Sequence, residues 1–192
     1  MSTHRTQRGY TLLELIVSLG IFSVVILVVM GAYLTLISLD RQARANSQLA
    51  TSLSFAIESM ARSLRTGSEF VCNGNTNSPN CTAGGSSISF CLDGRTCRDG
   101  DSDEQYLTTY FLRSNGTIGQ CSGRLCTDSA SEPLTDSRIK IESLRFYVRG
   151  VGSGDGQQPQ VTFVLAGSMT TDQGEETDFN IQTSATQRLL EL

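Results

Sequence analysis

The sequence predicts an α+β chain: one long N-terminal helix, its first half fit for lipid, its second half packed on an antiparallel β-sheet head with disulfide-rich loops. Three observations carry this. No charged residue occurs from Leu15 to Leu39. Leu49, Leu53, Ala56, Ile57, Met60 and Leu64 then recur at helical spacing. Beyond Gly67, short apolar runs alternate with stretches rich in Gly, Ser, Thr, Asn and Asp, the pattern of strands joined by turns.

The uncharged run, taken as a helix, spans about 38 Å, enough to cross a ~30 Å hydrocarbon core. Ahead of it, residues 1–9 carry Arg5 and Arg8 and no acid, which marks a cytoplasmic flank. Arg41 and Arg44 beyond the run weaken that asymmetry, and Asp40 partly offsets them. The run is too long for an ordinary secretory signal, and the small-residue triplet Ala43-Arg44-Ala45 lies among charges past a full span. An uncleaved anchor explains the flank and the span but leaves Glu14 unexplained. An acid deep in a membrane helix costs about 2.5–3.5 kcal/mol, less near an end. Glu14 therefore either reaches the interface or awaits a cationic partner.

The helix is expected from about Thr11 to Thr66. Arg62 and Arg65 fall in its last turn, and Gly67 is the expected C-cap. Its apolar stripe faces a sheet or, alternatively, a coiled-coil partner. After Cys72, the stretch Asn73–Ser87 has no periodicity. Strands are expected at Ser87–Cys91, Tyr106–Arg113, Thr117–Cys121, Ile139–Arg149, Val161–Ala166 and Phe179–Thr186. Asn115-Gly116 marks a hairpin turn, and a bulge is expected after Ile141. Gly150–Gln158 and Gly167–Thr177 read as loops. The class is the packing of an antiparallel sheet on a helix.

All six cysteines, Cys72, Cys81, Cys91, Cys97, Cys121 and Cys126, cluster in this polar region. An even count beyond a membrane span reads as disulfides in an oxidising compartment. A zinc site is the rival, but there is no C-x-x-C and His4, the only histidine, lies elsewhere. Six cysteines allow 15 pairings. The neighbours Cys91 with Cys97 and Cys121 with Cys126 are the expected pairs, with the full connectivity left open. Asp99, Asp101 and Asp103 form an acid-dense stretch that weakly suggests calcium, yet Glu104 and Tyr110 stand where an EF-hand needs glycine and a final acid, so a solvated loop is favoured. Asn80-Cys81-Thr82 and Asn115-Gly116-Thr117 match glycosylation acceptors, a pattern common by chance. No catalytic set and no phosphate-cradling loop is found, so a non-enzyme without cofactor is expected. The net charge of −4 and the lack of a basic patch argue against broad nucleic-acid binding.

Arg8-Gly9-Tyr10-Thr11-Leu12-Leu13-Glu14, followed by the apolar run, resembles the prepilin signal of type IV pilins and type II secretion pseudopilins. The resemblance implies cleavage between Gly9 and Tyr10 by a membrane peptidase on the cytoplasmic side, N-methylation of Tyr10, and assembly into a filament. Phe is usual in the family where Tyr10 stands. Glycine at the cut leaves the bond free to stay extended. Cleavage also creates an amine beside Glu14, and Glu14 of one subunit would attract the Tyr10 amine of its neighbour. Major pilins carry a proline within the span; Gly31 stands at that offset here, which leans toward a minor pilin or a pseudopilin, and Ala56–Gly67 is similar to the helix end of minor pilins and J- or W-type pseudopilins. Close helix packing is an equal account of Gly20 and Gly31. The implied organisation is a leader at 1–9, a long helix at 10–66 with its transmembrane part at about 12–39, and an extracytoplasmic head at 67–192. The implied partners are other pilin or pseudopilin subunits, the prepilin peptidase and methyltransferase, the membrane, and a pilus or secretion assembly platform. The implied location is the inner membrane, crossed once with the N-terminus cytoplasmic, and then the filament. An uncleaved, membrane-anchored binding or adhesion domain is the alternative.

Overall fold

The computed structural model describes residues 9–74, 80–92, 97, 106–124, 126–151, 157–171, 174 and 176–188. The chain divides into two compact units, Met1–Arg44 and Ala45–Leu192. Helix α1, Leu12–Thr66, contributes to both. Its first half is apolar on every face. Its second half buries Leu49, Leu53, Ala56, Met60, Ala61 and Leu64, the stripe read from the sequence with Ala61 added and Ile57 only partly buried. Glu58 and Arg62 pair at 3.0 Å on the exposed face.

Among the described residues nine strands follow: β1 Ser68–Cys72, β2 Cys81–Gly85, β3 Ser87–Cys91, β4 Leu107–Leu112, β5 Ile118–Ser122, β6 Glu132–Pro133, β7 Ile139–Arg149, β8 Gln160–Thr170 and β9 Glu176–Thr186. They form two antiparallel sheets, in the orders β1-β3-β4-β5-β6 and β2-β7-β8-β9. The second half of α1 and the inner faces of both sheets share one core. Within it the rings of Phe70, Phe90 and Tyr110 stack in sequence, with centroids 5.9 and 5.5 Å apart. Phe146 and Phe163 lie directly opposite each other on β7 and β8, centroids 6.1 Å apart. Burying each such ring stabilises by about 1.5–3 kcal/mol.

The Asn115-Gly116 turn joins β4 and β5 as expected. Gly116 takes φ 81°, and Arg113 N donates to Thr117 O at 2.9 Å. Asp128 ties this turn down by accepting from the backbone and hydroxyl of Ser114. Those hydrogen bonds hold the Asp128 carboxyl below the usual carboxylate range. The bulge on β7 falls between Ile141 and Ser143. It shifts the inward phase by one residue, so Ile139 and Ile141 point to the core before it and Leu144, Phe146 and Val148 after it.

Four local expectations change. Gly67 follows the helix, but among the described residues it is not one with positive φ. It is glycine because a Cβ would meet the Phe90 ring. One of the orphan carbonyls at the helix end is instead satisfied by Arg188 N, which donates to Arg65 O at 2.8 Å. The aperiodic stretch Asn73–Ser87 contains β2, an edge strand ending in Gly84 and Gly85 with no clean alternation. β1 was also unread, because Glu69 breaks its register at φ 52°. Finally, β8 continues through Gly167 to Thr170 and β9 begins at Glu176, which shortens the loop expected from Gly167 at both ends. The bulge brings the Lys140 carbonyl onto the position a Gly167 Cβ would fill, with Ile141 Cα 2.9 Å away. Gly167→Ala is expected to cost about 1–3 kcal/mol, because backbone cannot rotate out of the way. The check is the urea midpoint of the detergent-solubilised full chain; an unchanged midpoint would refute the close approach.

Candidate functional site

The first described residues, Gly9 and Tyr10, are extended and exposed, and α1 begins two residues later. Thr11 is the N-cap. Its hydroxyl accepts from Glu14 N at 3.3 Å, and its carbonyl accepts from Leu15 N at 3.2 Å. A capping hydroxyl of this kind is worth about 1 kcal/mol. Glu14 thus sits at the third helical position, where a carboxylate is favoured by the positive end of the helix dipole. The Thr11-x-x-Glu14 spacing was legible as a capping box and was missed, because the apolar run beside it dominated the reading.

From Leu12 onward the helix surface is apolar and unburied. Its most hydrophobic 18-residue window has a mean hydropathy of 2.8 and nothing packed on it. Leu12, Ile16, Leu19, Phe22, Leu27 and Leu34 are each at least 60 % exposed. Such a surface is unfavourable in water and requires lipid or neighbouring apolar helices. The hydroxyls along it are already satisfied. Ser18 donates to Leu15 O at 3.0 Å, Ser23 to Leu19 O at 2.8 Å, Thr35 to Gly31 O at 3.1 Å and Ser38 to Thr35 O at 2.8 Å. Serine and threonine bonded back to their own helix are tolerated in hydrocarbon. The helix continues unbroken through Gly20 and Gly31, and both positions are open, with no heavy atom within 4 Å of an added Cβ. At the far end Arg44 pairs with Asp40 at 2.9 Å, so one of the two cations beyond the run is locally balanced.

Residues 4–30 match the family model described as the prokaryotic N-terminal methylation motif. The N-terminal segment carries this motif. The match supports a type IV pilin-like family, and that family is structural rather than enzymatic. It places Gly9, Tyr10 and Glu14 inside the methylation motif and leaves the head outside it. No curated protein and no solved structure matched the chain. The motif and the apolar helix together suggest membrane anchoring and association with pilin subunits and a processing peptidase.

The other sequence candidates separate from this site. Cys91 and Cys97 form one disulfide and Cys121 and Cys126 another, with Cα atoms 5.9 and 6.1 Å apart, within the usual reach of a bridge. Glu69 accepts from Cys97 N at 2.8 Å and holds the first bridged loop against β1. Cys72 and Cys81 are free thiols. Asp99, Asp101 and Asp103, and also His4, lie outside the described residues. Among the described residues no group of three or more His, Cys, Asp or Glu could hold a metal. Of the two glycosylation triplets, Asn115 is occupied by its turn, accepting from Thr117 N at 3.1 Å.

Proposed function

We propose that the chain is a prepilin-like structural subunit, cut between Gly9 and Tyr10, methylated on the new Tyr10 amine, and assembled through its N-terminal helix into a type IV pilus or type II secretion pseudopilus as a minor subunit. The observation that carries this reading is a helix root exposed and apolar on all sides, with one acid, Glu14, on its first turn inside the methylation motif. Before processing, the helix crosses the inner membrane at about 12–39 with the leader 1–9 in the cytoplasm and the head 67–192 outside. The two disulfides fit an oxidising compartment. The role needs no catalytic group and no cofactor; the work is done by helix packing and by a charge pair between copies.

In the filament, the Tyr10 amine of one copy meets the Glu14 carboxylate of the next. The attraction grows as water is excluded, and desolvation offsets much of it, so the pair sets axial register more than it adds stability. The unbroken helix at Gly31 supports the minor-subunit assignment, since the resemblance expects proline there in a major one. The test is mass spectrometry of the protein from its own envelope. The expected N-terminal peptide starts at Tyr10 and carries one added methyl group. An intact N-terminus in cells that hold the peptidase would favour an uncleaved anchor for a binding or adhesion domain.

A further inference from the structure

We propose that Cys72 and Cys81 form a third disulfide that staples the two sheets together, with Cys81 as the thiol that first meets the oxidant and Cys72 as the thiol that resolves it. Cys72 ends β1 of the five-stranded sheet and Cys81 begins β2 of the four-stranded sheet. The two thiols are hydrogen-bonded neighbours. Gly85 makes the space for them: a Cβ there would lie 3.0 Å from Cys72 Cβ and 3.2 Å from Cys81 Sγ. Asn73 fixes that geometry. At φ 52°, its side-chain oxygen accepts from Ser86 N at 2.8 Å and Ser87 N at 3.2 Å, and so clamps the turn after β2 onto the end of β1. Cys81 Sγ also donates to Phe146 O at 3.4 Å, which holds it against β7.

The two thiols differ in access. Cys72 is buried in the main core at 5 % exposure. Burial, together with the Cys81 thiol bonded to it, pushes the Cys72 thiol far above its usual range. Both thiols line a surface cavity of about 250 Å³ with Asn73, Asn80 and Thr82, but Cys81 is only half-buried and is the more accessible of the two. A thiolate is the attacking species in exchange, so the accessible sulfur attacks first. Cys81 loses its proton to solvent and attacks the disulfide of a thiol–disulfide oxidoreductase, forming a mixed disulfide and releasing one oxidant thiolate. Cys72 then loses its proton, attacks Cys81 Sγ and expels the second oxidant thiolate. One S–S bond forms in the protein, one breaks in the oxidant, and two electrons pass to the oxidant, which leaves as a dithiol.

The step rests on the extracytoplasmic placement proposed above, and the experiment separates the two. Full-length protein from its native envelope is alkylated with iodoacetamide without reductant, digested and mapped. The expected result is a Cys72–Cys81 cross-linked peptide with neither residue alkylated. Alkylation of both, with Cys91–Cys97 and Cys121–Cys126 still bridged, would overturn the third bond and leave the compartment reading standing. Alkylation of all six would overturn both. Thermal melting gives a second readout. Cys72→Ser, Cys81→Ser and the double variant should each lower Tm by the same ~5–10 °C, because one bond is lost in every case. Additive losses would mean two independent thiols and would overturn the proposal.

Discussion

Glu14→Gln should reach the membrane and be cleaved at wild-type levels, yet fall out of the assembled filament. Gln keeps the size of the side chain, and the hydrogen bond from residue 14 N to the Thr11 hydroxyl involves only backbone at that position. What is lost is the charge. In the assembled state the neighbour's Tyr10 amine would then be desolvated without a partner. Leaving one member of a buried pair alone costs about 3–5 kcal/mol, so incorporation should fall on the order of 100-fold or more. The measurement compares the variant's amount in sheared or affinity-isolated filaments with its amount in the membrane fraction. Equal ratios for variant and wild type would remove the charge pair from the account, even if cleavage after Gly9 still held.

Phe163→Ala should be the most damaging single change in the head. Phe163 is fully buried on β8 and faces the Phe146 ring on the neighbouring strand β7. Deleting a ring from such a site removes its burial and leaves a cavity the strands cannot close, a loss of about 3–5 kcal/mol. For a head of this size that corresponds to a fall in Tm of ~10 °C or more. Phe55→Ser is the matched control. Phe55 is 74 % exposed on α1, so its loss should change stability by less than ~0.5 kcal/mol. Circular dichroism melts of the detergent-solubilised proteins decide the matter. A Phe163→Ala melt overlying the wild type would mean that the Phe146–Phe163 pair is not the keystone of the core.

The parts of this fold that strong periodicity dictates were legible in the sequence. The stripe from Leu49 to Leu64, the alternation in β7 and the Asn115-Gly116 turn each follow a local rule, and even the bulge after Ile141 shows as a skipped beat between Ile141 and Leu144. The division of the strands between two sheets was not legible, because strand pairing is a long-range matter that local pattern does not encode. β1 and β2 were hidden for a related reason. β1 does alternate, with Ser68, Phe70 and Cys72 inward, but it is only five residues long and Glu69 at positive φ breaks its pairing, while β2 is an edge strand closed by Gly84 and Gly85 that shows no clean alternation. At the N-terminus, the methylation motif that contains Gly9, Tyr10 and Glu14 was readable because it is local. Thr11 was readable by spacing and went unread. Gly67 was assigned to the wrong cause, since only the tertiary approach of Phe90 reveals why a side chain is forbidden there.

The hydrogen bond from Arg188 N to Arg65 O has a practical corollary. It pins the chain just beyond β9 to the last turn of α1, about 30 Å along the helix from Ala45, where α1 enters the head. A fluorophore or epitope attached just after Arg188 would therefore report from the end of the head where the helix stops, not from the end where it enters.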